Sequence, residues 1–128
     1  MPLIPLPPLT LYTPELLQSQ PDHFFVFGDN ALRSGKGGQA IIRDEPNALG
    51  VATKMLPSNA PEAFFQDDDH TQLAIVLNDI ARVLRLALNH PVYIPMTADN
   101  KVDLGTGLAE LPQRAPALYD LINGYLHP

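Results

Sequence analysis

From Gln72 to Asn89, apolar residues fall at positions 73, 76, 77, 80, 83, 84, 87 and 88, a spacing that gathers them on one stripe of an α-helix. Asp69 or Thr71 stands where a cap is needed. A second helical stripe, at 115, 118, 121, 122 and 125, predicts a closing helix from about Arg114 to Leu126. The pattern differs at His23-Phe24-Phe25-Val26-Phe27, an unbroken apolar run between Pro21 and Gly28, which predicts a strand buried on both faces. Gly50-Val51-Ala52-Thr53 reads as a short strand delivering Lys54 at its exit, and Pro91 to Met96 as another. Thr13-Pro14-Glu15 predicts a helix start, with threonine as cap and proline at the first position, ending near Gln20-Pro21. Gln39 to Asp44 has helix composition and stops before Pro46, while Phe64 and Phe65 are expected to pin down the loop-like stretch that reaches Asp69. Residues 1–12 read as a proline-rich extended lead.

Strands alternating with helices predict an α/β layered domain, in which ligands gather where loops leave the strand ends. Two glycine loops are expected there: Arg33-Ser34-Gly35-Lys36-Gly37-Gly38, and Leu104-Gly105-Thr106-Gly107. With 128 residues, no internal repeat and no linker, residues 1–128 read as a single domain.

Composition narrows the chemistry. Apolar residues make up 45% and charged residues 17%, in separated clusters that suit a folded globule. The absence of cysteine excludes disulfides, thiolate zinc sites and cysteine nucleophiles, and a cytoplasmic setting is the expectation. The opening MPLIPLPPLTL has no basic region and is broken by prolines, so it does not read as a signal peptide, and no segment approaches a membrane span of about 20 apolar residues. A formal charge of −6 argues against an extended nucleic-acid footprint but leaves room for one nucleotide in a locally positive pocket. His23, His70, His90 and His127 have no metal-ligand spacing, and Asp67-Asp68-Asp69 lacks the glycine and distal glutamate of an EF-hand, so no metal or cofactor is expected and the aspartates read as a helix cap.

A glycine cluster opening a helix leaves backbone N–H groups open to an anion, although the same residues also make an ordinary surface turn. Gly35-Lys36-Gly37-Gly38 fits neither the three-glycine spacing of a dinucleotide fingerprint nor a P-loop, which needs glycine-lysine-serine or threonine. Two such loops at strand exits of one small α/β domain favour a phosphate cradle over a pair of turns.

Asn30, Leu32, Gly35, Lys36, Gly37, Gly38, Ala40 and Ile41 together resemble the first loop of macrodomains, and Ile94-Pro95 with Leu104-Gly105-Thr106-Gly107-Leu108 and Pro112 is similar to the macrodomain strand and diphosphate loop. Gly35-Lys36-Gly37 and Thr53-Lys54 resemble the lysine-using branch, the terminal ADP-ribose glycohydrolases and DNA-ADP-ribosyl glycohydrolase antitoxins. The resemblance spans roughly residues 24–126 and implies a three-layer α/β/α fold with a mixed central sheet.

It also implies a function: binding of ADP-ribose, with removal of ADP-ribosyl groups from a modified target as the expected reaction of a hydrolase. On this reading Gly28, Asn30, Lys36, Gly37, Gly38, Gln39, Thr53, Leu104, Gly105, Thr106, Gly107 and Leu108 hold the ligand. Asn30 would face the distal ribose, and backbone N–H groups of Gly37, Gly38, Gly105, Thr106 and Gly107, with the Thr106 hydroxyl, would hold the diphosphate. Lys54 would be the reactive amine, because a lysine in a partly desolvated pocket can attack an opened ribose aldehyde. Glu110 is the candidate acid or base, ahead of Asp29 and Asp103, and Tyr12 or Phe65 a candidate platform for adenine. The chain departs from the branch at Ala109, where some members carry a catalytic aspartate, at Ala52, where proline is common, and in the longer Thr97–Asp103 step. These departures bear on catalysis more than on binding. They keep two alternatives open: a non-catalytic module that sequesters ADP-ribose or a related nucleotide, and an interaction protein that has lost the ligand.

Overall fold

The computed structural model covers residues 3–128, except for the side chains at 106, 107 and 109. The elements in chain order are strand β1 (Leu3–Leu6), helix α1 (Pro14–Gln18), β2 (Phe24–Asn30), β3 (Ala48–Lys54), α2 (His70–Ala87), β4 (Val92–Pro95), α3 (Thr106–Arg114) and α4 (Pro116–Leu126), with short 3-10 turns at Gly38–Ile42 and Pro61–Ala63. The strands form one sheet in the order β1-β4-β2-β3.

Every strand pairing in this sheet is parallel, which corrects the expectation of a mixed sheet. Successive strands are joined by helical segments rather than tight hairpins, so each re-enters the sheet in the same direction. Antiparallel contacts are confined to the isolated bridges Lys54–Phe64 and Met96–Val102. One consequence matters for function: β2, β3 and β4 all deliver their exits to the same edge.

The extended lead is part of this sheet. Leu3–Leu6 lies in register with Val92–Pro95 as an edge strand, a place where Pro5 is tolerated because an edge leaves some backbone N–H groups without a ladder partner. Met1 and Pro2 lie outside the described residues.

Strand alternation sorts the core into two clusters. Phe25 and Phe27 pack with Leu6, Tyr12, Leu17, Ala40 and Ile42. Val26 belongs to the other cluster, with Leu49, Val51, Val92 and Ile94, beneath Val76, Ile80, Val83 and Ala87 of α2 and Leu118, Ile122 and Leu126 of α4. A strand with both faces covered is what the unbroken 23–27 run requires, and each fully buried side chain of this size contributes about 1.5–3 kcal/mol.

Caps fix the helix starts. Thr13 Oγ1 accepts from the Leu16 N–H at 3.1 Å, and Asp69 Oδ1 from the Gln72 N–H at 3.0 Å. Asp67 does not serve the long helix: its carboxylate accepts from Ala117 and Leu118 N–H at 3.0–3.2 Å, capping α4 from far away in sequence. Residue 115, at the start of α4, is alanine and has no side chain to do so.

Two elements differ from expectation. The 39–44 helix is a 3-10 turn over Gly38–Ile42, because Pro46 leaves too few residues to extend it into an α-helix. The closing helix begins at Pro116 and is preceded by a separate α3 that carries Pro112 internally. Gly105, Gly107 and Pro112 gave this stretch the composition of a loop, whereas burial of Leu108 and Leu111 stabilises it as a helix.

Candidate functional site

Parallel pairing of β2 with β3 sets the register of the site and then breaks it once. Asp29 pairs with Ala52 and Asn30 with Lys54, so Thr53 is the extra residue of a bulge. Bulges re-aim side chains at strand ends, and this one brings Lys54 beside Asn30 at the exit edge of the sheet.

A cleft of about 690 Å³ opens at that edge, within the range of small-molecule sites. Among the sequence-predicted residues, Gly28, Asn30, Gly37, Gly38, Gln39, Thr53, Lys54, Leu104 and Gly105 line it. Ser34 and Gly35 of the expected glycine loop also line it, whereas Thr10, Pro57 and Asn59 are residues that the sequence did not point to. Five predicted positions go elsewhere or lie beyond description. Lys36 is exposed and pairs with Asp44. Leu108 is buried in the core. Glu110 is exposed and pairs along α3 with Arg114 at 3.4 Å, outside the residues that line the cleft. The side chains of Thr106 and Ala109, and the role given to Gly107, lie outside the described residues.

Three contacts weld the two glycine loops together. Gln39 accepts from the Gly28 N–H through Oε1 and donates through Nε2 to the Asp103 carbonyl, both at 2.9 Å. Gly28 itself lies against Leu104, with no room for a side chain. Asp103 Oδ1 accepts from the Gly105 N–H at 3.0 Å, which corrects the expectation that this N–H faces a ligand. Gly38 and Gly105 adopt positive φ of 57° and 76°, and nothing lies within 4 Å of a Cβ built on either one or on Gly37. The glycines therefore leave open space around the backbone of residues that line the cleft.

Asn30 is 7% exposed, and its Nδ2 donates to the Ser34 carbonyl at 2.8 Å. Its Oδ1 is buried without a hydrogen-bond partner, an arrangement that costs free energy unless a ligand donor or water meets it. Lys54 donates from Nζ to the Ser58 carbonyl at 2.9 Å and sits 5.2 Å above the Phe64 ring. Thr53 is buried at the cleft wall, and its hydroxyl donates to the Asp29 carbonyl at 3.4 Å, tying β3 to β2.

Beneath the first glycine loop lies a charged network that sequence reading missed. Asp79 of α2, 2% exposed, accepts from Arg33 at 2.8 Å and from the Ala52 N–H at 2.8 Å, with Arg82 at 3.7 Å. Asp29 forms an ion pair with Arg43 at 2.7 Å and accepts from Arg33 at 3.4 Å and from the Asn30 N–H at 2.8 Å. Burial alone would lower the Arg33 pKa, but the hydrogen bond to Asp79 and the charges of Asp79 and Asp29 outweigh it and raise it. A signal was present in the sequence: Asp79 interrupts the apolar stripe of α2 one position before Ile80.

Neither aromatic candidate is available to an adenine. Tyr12 is buried at the edge of Phe25 and donates to the Val26 carbonyl at 2.6 Å, and Phe65 is fully buried in the core. Among the described residues, no helix is long and apolar enough to cross a membrane, and no three acidic or histidine side chains gather as a metal set would.

Comparison with known proteins gives one match: the model of a family of unknown function, DUF7831, covers residues 9–125. No curated protein and no solved structure matches.

Proposed function

The chain belongs to that family of unknown function, and we propose that its cleft binds ADP-ribose, with removal of an ADP-ribosyl group from a modified target as the reaction. The observation that carries this reading is convergence. Asn30 and the first glycine loop at the exit of β2, Lys54 at that of β3 and the second glycine loop after β4 line one cleft, the place where open parallel sheets bind ligands. The unpartnered Asn30 Oδ1 calls for a donor such as a ribose hydroxyl, and the open faces of Gly37 and Gly38 suit the approach of a phosphate.

The proposal includes a macrodomain-like three-layer arrangement, supported by apolar clusters on both faces of the sheet, and a cytoplasmic setting, in keeping with a cysteine-free composition. Lys54 is the proposed reactive amine, acting on the opened ribose. Asp103, which lines the cleft, takes the acid or base role that Glu110 does not. A purely binding role is the second reading, favoured by the pairing of Glu110 with Arg114 away from the cleft.

Titration calorimetry with ADP-ribose, AMP and NAD tests the proposal. Selective binding of ADP-ribose at micromolar or tighter affinity is expected, and no heat with any of the three overturns it. Release of ADP-ribose from a modified target then separates the hydrolase from the binding module.

A further inference from the structure

The first glycine loop is held from below by carbonyl groups. Arg43 donates from Nε to the Gly35 carbonyl at 2.8 Å and from NH2 to the Ser34 carbonyl at 3.2 Å, and Asn30 Nδ2 also reaches the Ser34 carbonyl at 2.8 Å. The described peptides are all trans. In a planar trans peptide the carbonyl and the following N–H point in opposite directions. Fixing the carbonyls of Ser34 and Gly35 on Arg43 therefore turns the N–H groups of Gly35 and Lys36 to the other side of the loop.

Arg43 has little freedom of its own. It is 15% exposed, bound to Asp29 and set 5.5 Å above the Phe27 ring. Asp29 is in turn bound by Arg33, and Arg33 by Asp79 from the far side of β3. Arg33 adopts a positive φ of 55°, a conformation disfavoured for side-chain-bearing residues that its two carboxylates stabilise. Arg33 and Arg43 thus meet Asp29 and Asp79 in a network that holds the loop without placing an arginine in the cleft lining.

We infer that Arg43, held by the Asp29–Arg33–Asp79 relay, is the positioning residue that sets the Ser34–Gly38 loop to receive an anion, so that this network selects phosphate-bearing ligands. The inference deepens the proposed reading of the cleft and rests on its being a phosphate site. The unpartnered Asn30 Oδ1, on the residue that shares the Ser34 carbonyl with Arg43, is a separate sign that a ligand completes this corner.

Backbone amide NMR on the full chain tests it, with inorganic pyrophosphate, ADP-ribose and adenosine as probes. In the unsubstituted protein, pyrophosphate and ADP-ribose are expected to shift the amides of Gly35 and Lys36, the two that Arg43 orients, together with those of Gly37 and Gly38 in the same loop. Arg43→Lys keeps the charge but cannot fork to Asp29, Ser34 and Gly35 together. It should weaken pyrophosphate and ADP-ribose by about tenfold, the scale of one lost well-placed hydrogen bond, and leave adenosine unchanged. Asp79→Asn should act in the same direction and more weakly. Should Arg43→Lys fail to fold, Arg33→Lys carries the same test one link further along the relay.

The outcomes separate the two ideas. Pyrophosphate binding that Arg43→Lys leaves unchanged, or a loss shared equally by adenosine, overturns the inference while the ADP-ribose reading stands. Pyrophosphate binding that depends on Arg43, without any binding of ADP-ribose, upholds the inference and overturns that reading. Amides of Gly35–Gly38 that no phosphate compound moves overturn both.

Discussion

A Cβ built on Gly28 would lie 1.9 Å from the carbonyl oxygen of Leu104, so the exit of β2 and the approach to the second glycine loop touch backbone to backbone. Only glycine permits this contact, and neither partner is a flexible side chain that could swing away. Gly28→Ala should therefore displace the 103–105 segment and destabilise the fold by about 1–3 kcal/mol, as overpacking does. Chemical denaturation measures the loss, and an unchanged midpoint would show that the segment relaxes freely.

Gly37→Ala is the complementary case. Gly37 has φ −78° and nothing within 4 Å of its missing Cβ, so the fold should keep its stability to within about 0.5 kcal/mol. Gly37 lines the cleft, so the added methyl is expected to weaken ADP-ribose binding. Calorimetry paired with denaturation separates the two effects; unaltered affinity means that the ligand does not pass over Gly37.

Lys54→Ala should abolish release of ADP-ribose from a modified target while binding of free ADP-ribose persists. The reason is geometric: Lys54 stands at the bulged exit of β3, beside Asn30 rather than among the loop amides. Glu110→Gln should leave both activities unaltered, because that carboxylate pairs with Arg114 on an exposed helix surface where such a pair contributes about 0–1 kcal/mol. Product release assays decide, and a Lys54→Ala protein with full turnover removes the amine from the mechanism.

Much of this arrangement was legible in the chain. The apolar run ending at Gly28 gave β2, the helical stripe gave α2, and glycine clusters after strands pointed to one edge of an α/β sheet. The register could not be read that way, since the bulge at Thr53 depends on how β3 meets β2. The Asp29, Asp79, Arg33 and Arg43 network was hidden for a related reason: its members are far apart in sequence, and each alone has the spacing of a surface charge. The placement of Glu110 beside Arg114, away from the cleft lining, was not legible because adjacency to an expected acid position says nothing about which side of α3 a residue occupies.

Asp79→Ala should cost stability well beyond a surface change. The substitution removes the partner of Arg33 and leaves the Ala52 N–H buried without an acceptor. Breaking a buried pair costs about 3–5 kcal/mol, and because the Arg33 side chain is 39% exposed, roughly 2–3 kcal/mol is expected after solvent screening. Asp79→Asn, which keeps one acceptor, should lose less. Urea denaturation gives both values, and an alanine variant no weaker than the asparagine variant would remove the network from the account of stability.

Tyr12 should govern the alkaline limit of stability. Burial first, and then the negative charge of Asp103, raise its pKa well above the ordinary tyrosine value near 10. The phenol therefore stays neutral in the folded chain at pH values where it ionises in the unfolded one. A group whose folded pKa is raised contributes its full stability below the unfolded pKa and loses it as pH climbs toward the folded value. The stability of the protein is accordingly expected to fall above about pH 10, the unfolded tyrosine value. Tyr12→Phe removes the ionisation together with the 2.6 Å bond to the Val26 carbonyl. At neutral pH this variant should be weaker by about 1 kcal/mol, the net worth of such a bond. Above pH 10 its stability curve should descend less steeply than that of the unsubstituted chain. Denaturation midpoints measured from pH 7 to 11 test both statements, and parallel alkaline limbs would assign the loss to other groups.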